Sequence, residues 1–138
     1  MIRIAVTDDI ATCRALRRVV FIEEQGVSEA DELDDLDGVA VHLLATVDGR
    51  PMGSARIIPC EGYGKIGRVC VLAEARGTGL GAALMREAVQ ECRRLGLKTA
   101  RLGAQTHALG FYEALGFQAI GPVFDDAGIP HREMILSL

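Results

Sequence analysis

The sequence predicts an α/β or α+β fold on a mixed sheet, and three observations carry that expectation. A period-2 run opens the chain, two long amphipathic helical patterns separate groups of strands, and β-rich runs cluster around turn chemistry instead of alternating strictly with helices. The resulting order, β-α-β-β-β-α-β-α-β-β, is neither alternating nor segregated, and its two helical crossovers are expected to cover the two faces of the sheet. The 138 residues fit one domain spanning 1–138, long enough to bury roughly two-thirds of the surface of the unfolded chain.

Each element has a local reason. Ile2-Arg3-Ile4-Ala5-Val6 alternates as a strand, and Thr7, Asp8 and Asp9 supply a cap and first-turn acids for a helix reaching about Glu24. Ile10, Cys13, Leu16 and Val20 form its apolar stripe, Arg14, Arg17 and Arg18 fall on other faces, and Gly26 is placed to stop it. After a short acidic segment, Val41–Asp48 and Met52–Cys60 flank Gly49-Arg50-Pro51 as a hairpin, because Asp48-Gly49 is turn chemistry. Lys65–Leu72 is a third strand of this group. Gly79–Leu95 is the clearest helix, with Leu80, Leu84, Ala88, Cys92 and Leu95 on one stripe and Gly96 at its end. Thr99–Gly103 forms a strand, Ala108–Leu115 a short helix, and Gln118–Phe124 and Glu133–Leu138 the last two strands.

Composition excludes several classes. With 49% hydrophobic and 25% charged residues, 16 Gly and 4 Pro, the chain is neither disordered nor fibrous. A net charge of −4, six aromatic residues and no Trp argue against a nucleic-acid binder with a basic face and stacking platforms. Charge is split, however: residues 1–62 hold 6 basic and 12 acidic side chains, and residues 63–138 hold 9 and 7. Such a split suits a cationic partner on one side and an anionic one on the other. Cys13, Cys60, Cys70 and Cys92 show no metal-ligand spacing, so no metal is expected, and Asp8 and Asp9 follow too soon after Met1 for a secretory signal. Reduced thiols and a cytoplasmic location are the expectation. The longest uncharged apolar stretch, Val39–Val47, is nine residues, far below the ~20 needed to cross a bilayer, so no membrane partner is expected.

Arg76-Gly77-Thr78-Gly79-Leu80-Gly81-Ala82 joins a strand to the best helix. Closely spaced glycines let backbone approach a ligand, and free N–H groups at a helix start favour an anion such as a pyrophosphate, although a tight turn made only for packing explains the glycines as well. A Walker loop would need Lys and Ser/Thr after the last Gly, where Ala82-Ala83 stands. The Gly77-x-Gly79-x-x-Ala82 spacing fits a dinucleotide fingerprint, but four residues separate the turn from the strand, and Gly103-Ala104-Gln105 occupies the place of the ribose-binding acid.

The run Val71-Leu72-Ala73-Glu74-Ala75-Arg76-Gly77-Thr78-Gly79-Leu80-Gly81, followed by Phe111-Tyr112-Glu113-Ala114-Leu115-Gly116-Phe117, resembles the GNAT acetyltransferase superfamily. Its Gln/Arg-x-x-Gly-x-Gly/Ala signature is met by Arg76, Gly79 and Gly81. Glu23-Glu24-Gln25-Gly26-Val27, the acidic Asp31-Glu32-Leu33-Asp34 run, Ile66-Gly67-Arg68-Val69 and Gly128-Ile129-Pro130-His131 resemble its ElaA-like branch. The resemblance spans nearly the whole chain. It implies a mostly antiparallel mixed sheet with helices on both faces, and an acetyl-CoA-dependent N-acetyltransferase that transfers acetyl directly to a primary amine. It further implies that the backbone of Val69, Cys70 and Val71 pairs with the pantetheine arm and that one N–H there polarises the thioester carbonyl. The turn of Arg76, Gly77, Thr78, Gly79, Leu80, Gly81 and Ala82 would hold the pyrophosphate. Gln105 stands where many relatives carry an Asn that contacts pantetheine, a departure of one methylene.

Tyr112 matches the tyrosine that in many relatives protonates the departing thiolate, although Phe111, Tyr112, Leu115 and Phe117 also suit simple packing of a helix onto the sheet. A base must take the proton of the amine; Glu24, an acid within 29–37 and His131 are the candidates. Cys70 suggests a covalent nucleophile only superficially, since no His or acid is recognisably placed to activate it. Six acids lie between Glu29 and Asp37; they form either a solvated loop or a wall that concentrates an ammonium substrate. His42, Arg56 and Arg68 in strands either line the cleft or pair within the sheet. The acceptor is left open among small amines, amino sugars, polyamines and peptide N-termini. A homodimer through sheet edges or late strands is an assembly the resemblance also implies. A non-catalytic acyl-CoA-binding sensor is the competing function, and a dinucleotide oxidoreductase a third.

Overall fold

Seven strands form one sheet in the order β1-β2-β3-β4-β5-β7-β6 in a computed structural model that describes residues 1–138. The strands are β1 (Ile2–Thr7), β2 (Val41–Val47), β3 (Arg50–Pro59), β4 (Tyr63–Val71), β5 (Thr99–Gln105), β6 (Gln118–Asp126) and β7 (Ile129–Ser137). Neighbours are antiparallel except β4 and β5, which run parallel and are bonded only over Tyr63–Lys65 and Thr99–Arg101. Beyond that point the two strands part, and the edges of β4 and β5 that face each other have no strand partner. The fold class expected from the sequence is the one observed.

On one face lies α3 (Leu80–Arg94), whose Leu80, Leu84, Met85, Ala88 and Cys92 are buried against Leu43, Ala55, Ile57, Ala100 and Met134 of the sheet. Leu95, expected on that stripe, is 42% exposed, because the helix ends there and Gly96, at φ +75°, turns the chain away. On the other face α1 (Ile10–Arg17) begins at Asp9, whose carboxylate accepts from the Thr12 N–H, and buries Cys13 and Leu16. The chain winds on as a π-helix over Arg18–Glu24, in which the Gln25 N–H donates to the Val20 carbonyl, five residues back. The sequence predicted the extent of this helix and not its wider winding, a feature often found at functional sites. Also unanticipated is the short α2 (Glu29–Glu32), capped by Ser28.

The β6–β7 hairpin is tighter than expected. Ala127 and Gly128 turn it at φ +53° and +79°, the double-positive geometry of a two-residue hairpin. Asp125, Asp126 and Ile129–Arg132 therefore lie in the ladder and not in a loop, so His131 is a strand residue.

Arg17, expected on a face other than the apolar stripe of its helix, is 1% exposed. Its Nε–H donates to Glu32 Oε1 at 2.7 Å, and Nη1 and Nη2 fork onto the two oxygens of Asp37 at 2.9 and 2.8 Å. Arg14 reaches Asp37 at 3.0 Å, and Arg56 bridges Asp37 at 3.0 Å to Asp34 at 2.9 and 2.6 Å. Arg68 donates from Nη2 to the Glu32 carbonyl and to Asp34, at 3.1 and 3.2 Å. Buried His42 donates from Nε2 to the Asp37 carbonyl at 2.9 Å. Three of the six acids of the 29–37 segment thus belong to an ion network that holds this segment over β3 and β4, and they are not a free carboxylate wall.

Arg17 above all, with Arg14 and Arg56, holds the Asp37 carboxyl far below the usual carboxylate range; Arg56 lowers Asp34 to about 2. Groups depressed in the folded state stabilise it fully above their unfolded pKa of about 3.9 and lose that contribution as they protonate. Urea midpoints should therefore hold from pH 7 to about 5 and fall steeply between about pH 4 and 2. Asp37→Ala strips buried Arg17 and Arg56 of their counter-charge and should cost about 3–5 kcal/mol, whereas Asp35→Ala, at an exposed position, should stay within about 0.5 kcal/mol in the same titration.

Candidate active site

A bulge creates the opening between β4 and β5. The pairing of β3 with β4 slips by one residue between Ser54/Cys70 and Arg56/Gly67, and Arg68, at φ +52°, is the residue in left-handed conformation within that slip. Side-chain alternation confirms the extra residue: Gly64 and Ile66 face α3, and so do Val69 and Val71, while Cys70 packs on Leu16 and Val20 of the opposite face. A bulge re-aims side chains and bends the strand, here next to the point where β4 leaves β5.

The parted strands open a cleft of about 420 Å³. Ile66–Val69 of β4 and Leu102, Gly103 and Gln105 of β5 form its sides. The end of the π-helix and the acidic segment close one wall, with Phe21, Gln25, Asp31, Glu32 and Asp34; Tyr112 and the β6–β7 hairpin close the other. At the mouth, Gln105 Nε2 donates to Gln25 Oε1 at 3.0 Å, and Gln105 Oε1 meets His107 Nε2 at 2.6 Å.

Beyond β4 the chain enters the glycine turn. Gly77 and Gly79 have φ of +78° and +86°, and a Cβ at either would meet nothing within 4 Å, so conformation and not crowding requires glycine there. Gly79 caps α3 with no side-chain bond, which leaves the first N–H groups of the helix without intrahelical partners, the arrangement that suits an anion. Thr78 Oγ1 donates to the Ala75 carbonyl at 2.6 Å, and Gly81 lies against the ring of Phe111. Arg76 folds back, donating from Nε to the Val71 carbonyl at 3.0 Å and pairing through Nη2 with Glu24 at 2.8 Å. Two residues singled out in the sequence are therefore each other's partners, and Glu24 does not line the cleft.

Tyr112, on α4 (Leu109–Ala114), lines the cleft between the edge-on rings of Phe111 and Phe117. Burial alone pushes its phenol up to about 12, so the hydroxyl keeps its proton throughout the neutral range. His131 is 8% exposed and lines the same cleft, stacked on Phe124 with ring centroids 5.8 Å apart. Its Nδ1 lies 2.7 Å from the Ile129 carbonyl. A carbonyl only accepts, so Nδ1 carries the proton and Nε2 of the neutral ring keeps its lone pair. Phe124, which stacks on this ring, has no sequence pattern that marks it for the site, and Gln25 lies in a run that resembles the ElaA-like branch but carries no expected role there.

A family model described as an acetyltransferase (GNAT) domain matches residues 20–138. The chain belongs to the GNAT acetyltransferase family. Within it, Escherichia coli ElaA is 35% identical over 124 residues, covering 86% of this chain and 81% of ElaA, and its crystal structure superimposes with a TM-score of 0.86 at 28% identity over 98% and 99% of the two chains. The Bacillus subtilis N-acetyltransferase YjcF is 35% identical over 121 residues, covering 87% and 86%. An acyl-CoA N-acyltransferase structure from Pseudomonas aeruginosa gives a TM-score of 0.88 at 34% identity over 98% and 99% of the chains. This GNAT protein is an N-acetyltransferase of the ElaA-like branch, and its mixed, mostly antiparallel fold matches those solved structures. No helix is long and apolar enough to cross a membrane.

Cys70 is 3% exposed and burial pushes its thiol up to about 12; Cys92, also buried, is raised to about 11. Neither supplies a thiolate at neutral pH. Native protein at pH 8 should therefore lose the half-buried Cys60 to a thiol reagent first, with Cys13, Cys70 and Cys92 reacting only on unfolding; peptide mapping after timed alkylation reads the order.

Proposed function

We propose that this GNAT enzyme transfers acetyl from acetyl-CoA directly to a primary amine held in the cleft, with no covalent enzyme intermediate. The observation that carries the reading is the inner edge of β4, which has no strand partner beyond Lys65 and leads through the glycine turn to the uncapped start of α3. It offers backbone donors and acceptors over the length of a pantetheine arm and N–H groups for a pyrophosphate at its end, so the residues present fit the cosubstrate. Val69, Cys70 and Val71 would pair with the arm through their backbone, and the turn from Arg76 to Ala82 would hold the phosphates. Gln105, at the mouth, would contact pantetheine.

Acetyl-CoA supplies the thioester carbon that the amine attacks and the C–S bond that breaks. The Val69 N–H is the donor for charge developing on the carbonyl oxygen. Nε2 of His131, the nitrogen left as acceptor in the tautomer that the Nδ1 bond selects, takes the proton leaving the amine, directly or through a water. Tyr112, kept protonated by burial, gives its proton to the departing sulfur. The pairing of Glu24 with Arg76 favours His131 as the base and gives Glu24 the role of fixing Arg76 at the turn.

Acetyl-CoA and CoA should each stabilise the protein in a thermal melt, by about 2.7 kcal/mol at 100 times the dissociation constant, and NADH should not. Stabilisation without thiol release across an amine panel would replace the enzyme reading by the acyl-CoA sensor. Tyr112→Phe should lower kcat by about tenfold to a hundredfold with the melt response to CoA retained, a partial loss because a thiolate also leaves unaided.

A further inference from the structure

Charge along the cleft is divided. Arg17 is saturated at short range and Arg56 is paired through both Nη atoms, with ion contacts of 2.6–3.0 Å. Arg68 is not. Its Nη2 shares Asp34 Oδ2 with Arg56 at 3.2 Å, its buried Nε has no hydrogen-bond partner and stands 3.8 Å from Glu32 Oε1, and its Nη1 donates to no group of the protein. Its side chain is 26% exposed and lines the cleft. Arg56, 5% exposed, lines the same cleft with a second unpartnered Nε. The three carboxylates that approach Arg68 and Arg56 are already shared among four guanidiniums. Burial and the neighbouring Arg56 depress the guanidinium of Arg68, opposite in direction to Arg17 and Arg56, so the existing carboxylates do not fully compensate it.

Placement gives this unmet charge a use. Arg68 is the bulge residue immediately before Val69, the backbone donor assigned above to the thioester carbonyl, so an anion on Arg68 is tethered beside the reacting centre. Elsewhere the cleft carries Asp31, Asp126 and Glu133 without ion partners. A dianion such as a phosphate ester would be repelled by those three acids, whereas a zwitterion with one carboxylate and one ammonium is complementary to both sides.

We propose that Arg68 binds a carboxylate of the acceptor, so that the preferred acceptors are amines bearing a carboxylate, of the free amino-acid class. This rests on the acetyl-transfer reading of the same cleft. The carboxylate would meet the free Nη1 donors, and the amine would point toward Val69 and His131 Nε2.

The test compares the free amino acids with their carboxamides in acetyl-CoA-dependent thiol release by the full-length protein. Each pair presents the same amine, and the amide amine is the less protonated of the two, which biases the assay against the proposal. The free acid of the best pair should exceed its amide in kcat/KM by about tenfold to a hundredfold, the range of one charge-assisted hydrogen-bonded contact. Arg68→Gln should collapse that ratio toward one through KM, with acetyl-CoA still stabilising the variant in the melt; Arg68→Lys should retain part of it. Equal use of acid and amide by the wild-type protein overturns the proposal, and that comparison needs no variant to fold. So does a ratio unchanged in Arg68→Gln, or a protein that acetyl-CoA stabilises but that acetylates neither member of any pair. Failure of acetyl-CoA to stabilise the protein is the separate result that removes the acetyl-transfer reading, and the proposal with it.

Discussion

One wall of the cleft hangs from the guanidinium of Arg17. The segment from Glu29 to Val39 has inverted polarity: Leu33, Leu36 and Val39 are exposed, while Glu32 and Asp37 are buried. Apolar burial therefore does not hold it down. Charge does, through the fork of Arg17 on Asp37, its Nε bond to Glu32 and the bridge of Arg56 to Asp34. A buried ion pair contributes little net stability compared with well-packed apolar residues, yet each partner becomes obligatory once the other is buried. Bidentate bonds also fix direction, which hydrophobic contact does not. The segment is consequently placed in one orientation over β3 and β4, where it forms a wall of the site.

The same network explains a backbone that would otherwise be unfavourable. Arg68 has a left-handed conformation, costly for a residue with a Cβ, and its guanidinium donates to the Glu32 carbonyl and Asp34. The bulge turns this side chain off the α3 face and toward the acids. It also shifts the alternation of β4, so that Val69 and Val71 return to the core and the strand leaves β5 after three paired residues. The opening of the sheet and the anchoring of the acidic wall meet in one residue.

Much of this was legible in the sequence where a pattern is local. The stripe of α3, the glycines of the turn and the Asp48-Gly49 hairpin each follow from residue preferences over a few positions, and the structure has them there. The Ala127-Gly128 turn was missed because no Asn or Asp stands at its first position, so the strands around His131 were cut short. The charge network was missed for a different reason. Arg17 on a helix and Asp37 twenty residues on carry no mutual signature, and a run of six acids resembles a solvated loop until tertiary contacts draw three of them into one network. The tautomer of His131 likewise depends on a carbonyl two residues away whose direction only the hairpin sets.

The two halves of the cleft are made from different materials, and this bears on how the fold accommodates different acceptors. The half proposed to hold the cosubstrate consists of backbone: a strand edge, a glycine turn and a helix start, with Gly77 and Gly79 required for conformation alone. Almost any side chain can stand at Val69 or Val71 without removing those N–H and C=O groups. The other half consists of side chains, namely Arg68, His131, Tyr112 and the acids of the loop and hairpin, and each can change without disturbing the strand edge. Relatives at about a third identity keep the fold over nearly the full chain, as expected if shared chemistry is written in the backbone and acceptor preference in the side chains that face it. The ion network limits that freedom on one wall: a change at Asp34 to suit a new acceptor also releases Arg56 and Arg68. The β6–β7 hairpin carries no such obligation, since Asp126 and Glu133 have no ion partners, and it is the wall that can be rebuilt at least cost to the fold.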